Sequence, residues 1–386
     1  MDCIGYLRRI VSVDSVFPNE KELAFFLAGE LERAGFDVEL QRLSGSGERY
    51  NVLAARGGGG GCRPLLLYGH MDTVPPYGYE AEGRNPFSLE ERDGRLYGLG
   101  AYDMKAGIAA IMDAVSHVRS GRALKVMFVS DEEADSRGCF EAVQSGFAAN
   151  AGLALAAEIS DVHDISEKTR TITLGRRGRA QYEVMVPGKS FHAARAEEGI
   201  SAVTEAAKLA LEIERMNATL PEHPQLSRGH MFVRAFHSES ESLSLPDSAR
   251  LIIDRHLVPP EDAEGARADI EGRVQALYAA GLMRGAENTS TVRVVPRGVP
   301  YLMPYATPQD DPGVAMLSAA ISGVLGVDAA YNYGMSVADE NLLAMQGIPV
   351  ASFGPIGGGE HSSGEWVSRQ SCIELAEVLR AFISES

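Results

Sequence analysis

Four apolar runs constrain this chain more than any other feature: PLLLYG from Pro64, LKVMFVS from Leu124, GLALAA from Gly152 and IPVASFG from Ile348. Runs this continuous leave no face for water, so they suit strands buried on both sides, as in a parallel sheet covered by helices. Helical stripes alternate with them. Glu20 to Ala34 carries Leu23, Phe26, Leu27 and Leu31 on one face, with Gly35 just past its end. Met104 to Val118 reads as a second helix, Val314, Leu317, Ile321 and Leu325 stripe a third, and another closes the chain from about Arg369. FDVELQRL and NVLAAR add strands. The alternation predicts an α/β fold with a mostly parallel sheet. The Gly57 to Gly61 tract lies between two strands and reads as a hairpin tip. It lacks the Lys-Ser/Thr and following helix of a phosphate loop.

The middle has another rhythm. RAQYEVMVPG alternates like a half-exposed strand, a helix runs from Ser201 to about Met216, and HMFVRAF and ARLIIDRHL read as strands. A helix from Glu261 to Ala280 and the strand STVRVVP follow. This βαββαβ order predicts a two-layer α+β unit of roughly 120 residues. The expected plan is a discontinuous α/β domain, residues 1–175 and 297–386, interrupted by an inserted domain, residues 176–296.

Composition narrows the function. Hydrophobic residues make up 45% and charged residues 23%, which excludes disordered and fibrous classes. The 36 basic residues against 53 acidic ones give a net charge of −17, which argues against nucleic acid or an anionic membrane as partner. It leaves carboxylates to spare for metal binding. Cys3, Cys62, Cys139 and Cys372 are scattered with no CxxC spacing, which fits a reducing compartment. Arg8 and Arg9 fall where a signal peptide needs its apolar core, and no segment reaches the ~18 consecutive apolar residues of a membrane span. The expected location is cytoplasmic.

Polar residues follow the buried runs. His70-Met-Asp72 comes after PLLLYG, Asp131-Glu132-Glu133 after LKVMFVS, Glu158 after GLALAA and His361 after IPVASFGPIGGG; Asp103 stands just ahead of a helix. Ligands of open α/β sheets bind outside the carboxyl ends of strands, so these groups can converge in one crevice. Any one of them alone reads more simply as a cap or a solvated side chain. Together, two histidines and several carboxylates without cysteine suit zinc, manganese or cobalt. His70 and Asp72 share a face of an extended segment, so Asp72 can accept the second ring N–H of His70. Neighbouring Glu132 and Glu133 point apart in an extended segment and should divide roles. Asp103 has two oxygens and can bridge two metals, or it can cap its helix.

HMDTVPP, GLGAYDMKAG, DEE, AAE, GKSFHAARAEEGISA and GPIGGGEHSSGEWV resemble, in order, the motif series of the co-catalytic zinc aminoacylase/carboxypeptidase family. That family includes acetylornithine deacetylase, succinyl-diaminopimelate desuccinylase, aminoacylases and glutamate carboxypeptidase. The resemblance runs from about residue 4 to the C-terminus. It implies a catalytic α/β domain with an inserted lid that dimerises. It implies two divalent ions per chain, zinc first with cobalt or manganese as alternatives, with His70 and Glu158 on one, Glu133 and His361 on the other, and Asp103 bridging. Glu132 resembles the general base, Asp72 the orienter of His70, and His192 the lid histidine that reaches a partner's site and stabilises the oxyanion. A cis peptide at Asp103–Met104 is implied too.

The lid departs from the family pattern. The usual Asn-x-Ile/Val-Pro segment is Leu243-Ser244-Leu245-Pro246, and the substrate-carboxylate arginine ten residues on falls on His256, beside Arg255. A neutral histidine is a poorer bidentate partner for a carboxylate than arginine. Adjacent strand residues face opposite ways, so Arg255 cannot simply replace it. Both remain candidate substrate contacts, and His256 also reads as a plain half-buried strand histidine. Ser362 and Ser363 read as loop hydroxyls, since a metal-bound imidazole cannot serve them as a base. The expected activity is metal-dependent amide hydrolysis of a small N-acyl amino acid. The alternatives are a di- or carboxypeptidase and, more remotely, an inactive ligand-binding relative.

Overall fold

The computed structural model describes residues 1–45, 47–57, 62–118, 121–240, 242–285 and 289–385. Of the expected Gly57–Gly61 hairpin tip, all but Gly57 lies outside these residues. The chain divides into two compact units: Met1–Gly175 with Ala306–Tyr333 and Ala338–Ser386, and Arg176–Tyr305 with Gly334–Val337. The return to the larger unit falls at Ala306 rather than at 297. The segment after the last strand of the smaller unit stays with it, where Leu302 accepts the Arg179 N–H at 2.9 Å.

The larger unit is built on a sheet whose consecutive strands are Asp37–Arg42, Tyr50–Arg56, Leu124–Val129, Leu65–His70, Leu153–Ala156, Val350–Ser352 and Thr171–Arg176. The four apolar runs supply its centre, where neighbours pair in parallel; toward both edges pairing turns antiparallel. Every residue of Leu65–His70 is buried, as a central strand with no polar face requires. The Ala106–His117 helix is apolar nearly all round, and its first ten residues are buried, so it is a core helix packed against Arg369–Glu385. A small second sheet pairs Gly357–Gly358, Trp366–Ser368, Arg95–Tyr97 and Glu90–Arg92. No helix among the described residues is long and apolar enough to cross a membrane.

The smaller unit has an antiparallel sheet in the order His230–His237, Ser248–Leu257, Gly178–Pro187, Thr291–Val294. Helices Ala202–Met216 and Ala263–Ala279 cover one face. Tyr182, Val184, Leu251 and Ile253 from alternate strand positions pack there against Leu209, Ile213, Ile270 and Val274. Period-two strands against period-3.6 helices give a single apolar layer.

Candidate metal centre

The strands ending at Val129, His70 and Ala156 lie side by side and parallel, so the residues after each of them emerge at one end of the sheet. His70 is the last residue of its strand, Glu158 comes two residues after the next, and Asp131-Glu132-Glu133 opens a turn after the third. Asp103 is delivered from elsewhere, in a five-residue helical turn, Ala101–Lys105, just before the core helix, with a cis peptide to Met104. The sequence places His361 after a central strand. It lies instead in the connection between Gly357–Gly358 and Trp366–Ser368 of the second sheet, with left-handed φ values at Gly359 (73°) and His361 (59°).

The distances form two clusters about one carboxylate. His70 Nε2 lies 3.0 Å from Asp103 Oδ1 and 3.3 Å from Glu158 Oε1. His361 Nε2 lies 3.4 Å from the other oxygen, Asp103 Oδ2, and 3.1 Å from Glu133 Oε2. Asp103 therefore faces two imidazoles and caps no helix, since the following helix begins from Lys105 without a side-chain cap. His70 Nδ1 is 3.0 Å from the Asp72 backbone oxygen, to which a neutral ring donates, leaving the Nε2 lone pair facing Asp103 and Glu158.

This corrects the expected partner of His70. The Asp72 carboxylate is 3.7 Å from Nδ1, too far for a hydrogen bond, and accepts instead the backbone N–H groups of Glu132 (3.2 Å) and Glu133 (3.0 Å). Those two glutamates sit in a turn rather than an extended segment, and their side chains still part: Glu133 meets His361, while Glu132 has no ion-pair partner among the described residues.

Electrostatics follow from burial and from these contacts. Burial works against ionisation of Asp103, yet hydrogen bonds from His361 and His70 hold its carboxyl well below the usual range. Burial opposes a charged His70, but Asp103 and Glu158 outweigh it and raise the ring's proton affinity. His361 is pushed up to about 11 by hydrogen bonds to Asp103 and Glu133. Burial pushes the carboxyls of Glu132 and Glu158 up. The site thus favours positive charge at the imidazoles and resists more negative charge, the condition of a cluster suited to cations. Two imidazoles and three carboxylates, with no thiol, suit zinc, manganese or cobalt.

Three features escape a reading of the sequence. Buried Glu365 accepts the backbone N–H groups of Gly100 (2.8 Å), Tyr102 (2.8 Å) and Asp103 (3.1 Å), fixing the Asp103 turn, and burial pushes its carboxyl up to about 8. Asp339, from SVADEN, lies behind the central strand and accepts the Tyr68 hydroxyl at 2.7 Å. The His361 loop is clasped from Glu82 and Arg84: Ser363 Oγ donates to Glu82 at 2.6 Å, and Arg84 donates to the Ser363 carbonyl. The signal for Glu365 lies in the GEWV motif, where a lone glutamate has no spacing that names its partner. Ser362 and Ser363 are loop hydroxyls, the former donating to the Gly359 carbonyl at 2.7 Å.

In the smaller unit His192 is exposed, and its Nδ1 accepts the Ala194 N–H at 3.1 Å. That fixes the proton on Nε2 and leaves an outward donor. Arg255 is a correction: its side chain is fully buried, donating to Glu261, to Asp269 at 3.1 Å and to the Ala266 carbonyl at 3.2 Å. A guanidinium buried and paired inside its own unit presents no exposed part to a substrate. His256 points to the other face, half-buried, with burial lowering its proton affinity.

Residues 66–385 match the peptidase family M20/M25/M40. The chain belongs to that family. Named relatives of this M20-family chain include acetylornithine deacetylase of Myxococcus xanthus, 34% identical over 220 residues, or 55% of this chain and 54% of that protein. Succinyl-diaminopimelate desuccinylase of Wolbachia sp. subsp. Brugia malayi is 30% identical over 199 residues, 50% of this chain and 49% of that protein. The M20-family chain thus spans about half the length of the curated relatives it matches. Among solved structures, aminopeptidase PepT from Bacillus cereus ATCC 10987 superposes with a TM-score of 0.79 at 21% identity, over 99% of this chain and 97% of that one. A dinuclear metal-binding M20 peptidase from Bacillus subtilis superposes at 0.71 and 13% identity, over 99% and 96%. At these identities the superpositions speak for the fold, α/β with a mixed central sheet.

Proposed function

We propose that this chain is a dinuclear metal hydrolase that cleaves the amide bond of a small N-acyl amino acid. The observation that supports this most is the two-sided Asp103 carboxylate, with one imidazole at each oxygen and one glutamate beside each imidazole. His70 and Glu158 would hold one divalent ion, Glu133 and His361 the other, and Asp103 both. Zinc suits the donors best, with cobalt or manganese as alternatives. When bound, such ions supply Lewis acidity and ease the deprotonation of water at neutral pH.

Glu132 is the general base. Its carboxyl carries no ion pair among the described residues, and burial raises its proton affinity, which suits a group that takes a proton from attacking water and passes it to the departing amine. Asp72 orients it through the backbone N–H groups of the turn. His192 supplies an Nε2–H donor for the developing oxyanion, across a homodimer formed through the smaller unit. The N-acyl class follows the named relatives, one a deacetylase and one a desuccinylase. His256 is the remaining candidate substrate contact, and a cytoplasmic location goes with cysteines that are free.

The test is a panel of N-acyl amino acids and dipeptides offered to zinc- or cobalt-loaded protein, with Glu132→Ala alongside. Expected is turnover of an N-acyl substrate, lowered by about 10²- to 10⁴-fold in the variant while it still holds two ions. Preference for dipeptides would move the reading to a peptidase. A wild-type protein that binds no metal would overturn it.

A further inference from the structure

Behind the acidic turn runs a chain of ion pairs that the proposed reaction does not use. Glu20, fully buried, accepts from Arg49 Nε at 2.9 Å and also from Nη2. Arg49 Nη1 donates to Asp131 Oδ1 at 2.7 Å, and Asp131 Oδ2 accepts the Arg137 N–H at 3.1 Å. The side chains of Arg49, Glu20 and Asp131 are only 6%, 0% and 5% exposed. The Phe17 ring covers the guanidinium at 4.3 Å.

Asp131 stands at the head of the turn that carries Glu132 and Glu133, and its φ is 80°. Few non-glycine residues adopt that conformation, aspartate among those that do, and here contacts hold both its side chain and its carbonyl. Its carbonyl accepts the N–H groups of Asp135 (3.2 Å) and Ser136 (2.7 Å), closing the turn. The Asp72 carboxylate grips the same turn through the N–H groups of Glu132 and Glu133.

We infer that Arg49 is a positioning residue: anchored by Glu20, it holds Asp131 in its left-handed conformation and so sets where the Glu132 and Glu133 carboxylates stand. Guanidinium chemistry is required. One planar fork engages two carboxylates lying in different directions, which the point charge of a lysine cannot reproduce. Stability alone does not account for the arrangement, because well-packed apolar residues commonly match or exceed a buried ion network. The turn is also where a small backbone rotation has the largest consequence, since two adjacent side chains leave it for different tasks.

The inference rests on the proposed function, and its test separates the two. Arg49→Lys and, as a milder change that keeps an acceptor, Glu20→Gln are compared with wild type for zinc binding by competition calorimetry, thermal unfolding, kcat and KM. Lys21→Ala, on an exposed side chain paired with Glu48, is the control expected to match wild type. Expected are weakening of one of the two zinc constants by about 10- to 100-fold, the range for groups that orient metal ligands, and a fall in kcat with KM little changed. Arg49→Lys should keep more of the wild-type thermal stability than of the wild-type kcat. Variants that melt earlier, yet bind both ions and turn over as wild type does while folded, would overturn the inference. If wild type binds two ions and cleaves nothing in the panel, the proposed function fails, and the zinc constants still decide the role of Arg49.

Discussion

The smaller unit and the acidic crevice of the larger one treat buried charge in opposite ways. In the smaller one guanidinium closes three carboxylates: Asp254 by Arg179 at 2.9 Å, Glu183 by Arg293 at 2.7 Å and by Arg250, and Glu261 by Arg255. In the larger one Asp103, Glu132, Glu133 and Glu158 converge with two imidazoles, and none of these carboxylates pairs with lysine or arginine among the described residues. The proton affinities diverge accordingly. Arg250 draws the Glu183 carboxyl below its usual range, whereas burial raises those of Glu132 and Glu158. A network with internal counter-ions builds a domain. One left without them is shaped for cations from solution.

The largest effect that would sharpen this contrast comes from Asp103→Asn. The substitution keeps the shape and removes the one charge shared by both clusters. Expected is a weakening of both ions by more than the 10- to 100-fold typical of groups that only orient ligands, together with loss of turnover. Metal content after dialysis against dilute chelator is the measurement. A variant that kept both ions would mean that the two clusters stand independently.

Much of this crevice is legible in the sequence because it obeys a strand rule. His70, Glu158 and the Asp-Glu-Glu turn each come directly after an apolar run, and parallel strands bring their carboxyl ends together without further instruction. The helices and the βαββαβ order of the smaller unit are readable from periodicity for the same reason. The rest is carried by contacts distant along the chain. Glu365 holds the Gly100–Asp103 turn from more than 260 residues away, and Asp339 reaches Tyr68 across 271. For Asp72 the spacing of two points to His70, while the turn after the neighbouring strand supplies better-placed N–H donors and takes the carboxylate. Arg255 shows the complement: alternation reveals that it faces away from His256, but only the structure shows Glu261 and Asp269 waiting on that side.

Arg255→Met tests the other half of the comparison. Removing one partner of a buried pair leaves Glu261 uncompensated and costs about 3–5 kcal/mol. Expected is a drop in melting temperature of the smaller unit with unchanged kcat and KM in protein that remains folded. If KM for the best substrate rose while stability held, Arg255 would be reaching a ligand after all, and the smaller unit's charges would not be closed.

The smallest effect concerns protons, and it sets two histidines against each other. The His361 proton affinity, pushed up to about 11 in the metal-free cluster, lies above its value of about 6.5 in an unfolded chain. A raised value means that protonation stabilises the fold. The contribution is complete below about pH 6.5 and is lost as pH climbs through about 11. His256 is shifted the other way by burial, so its protonation disfavours the fold as pH falls below the ordinary histidine range. A divalent ion takes only a neutral ring. Zinc binding at pH 8 should therefore release at least one proton per chain from the cluster and none from His256. Calorimetry in two buffers of different ionisation enthalpy counts those protons, and imidazole NMR signals assign them. Metal-free protein should also lose stability on the alkaline side while zinc-loaded protein holds it. Zinc binding without proton release would mean that carboxylates alone take up the ions, and the distinction between a charge-closed unit and an imidazole-compensated crevice would fail at His361.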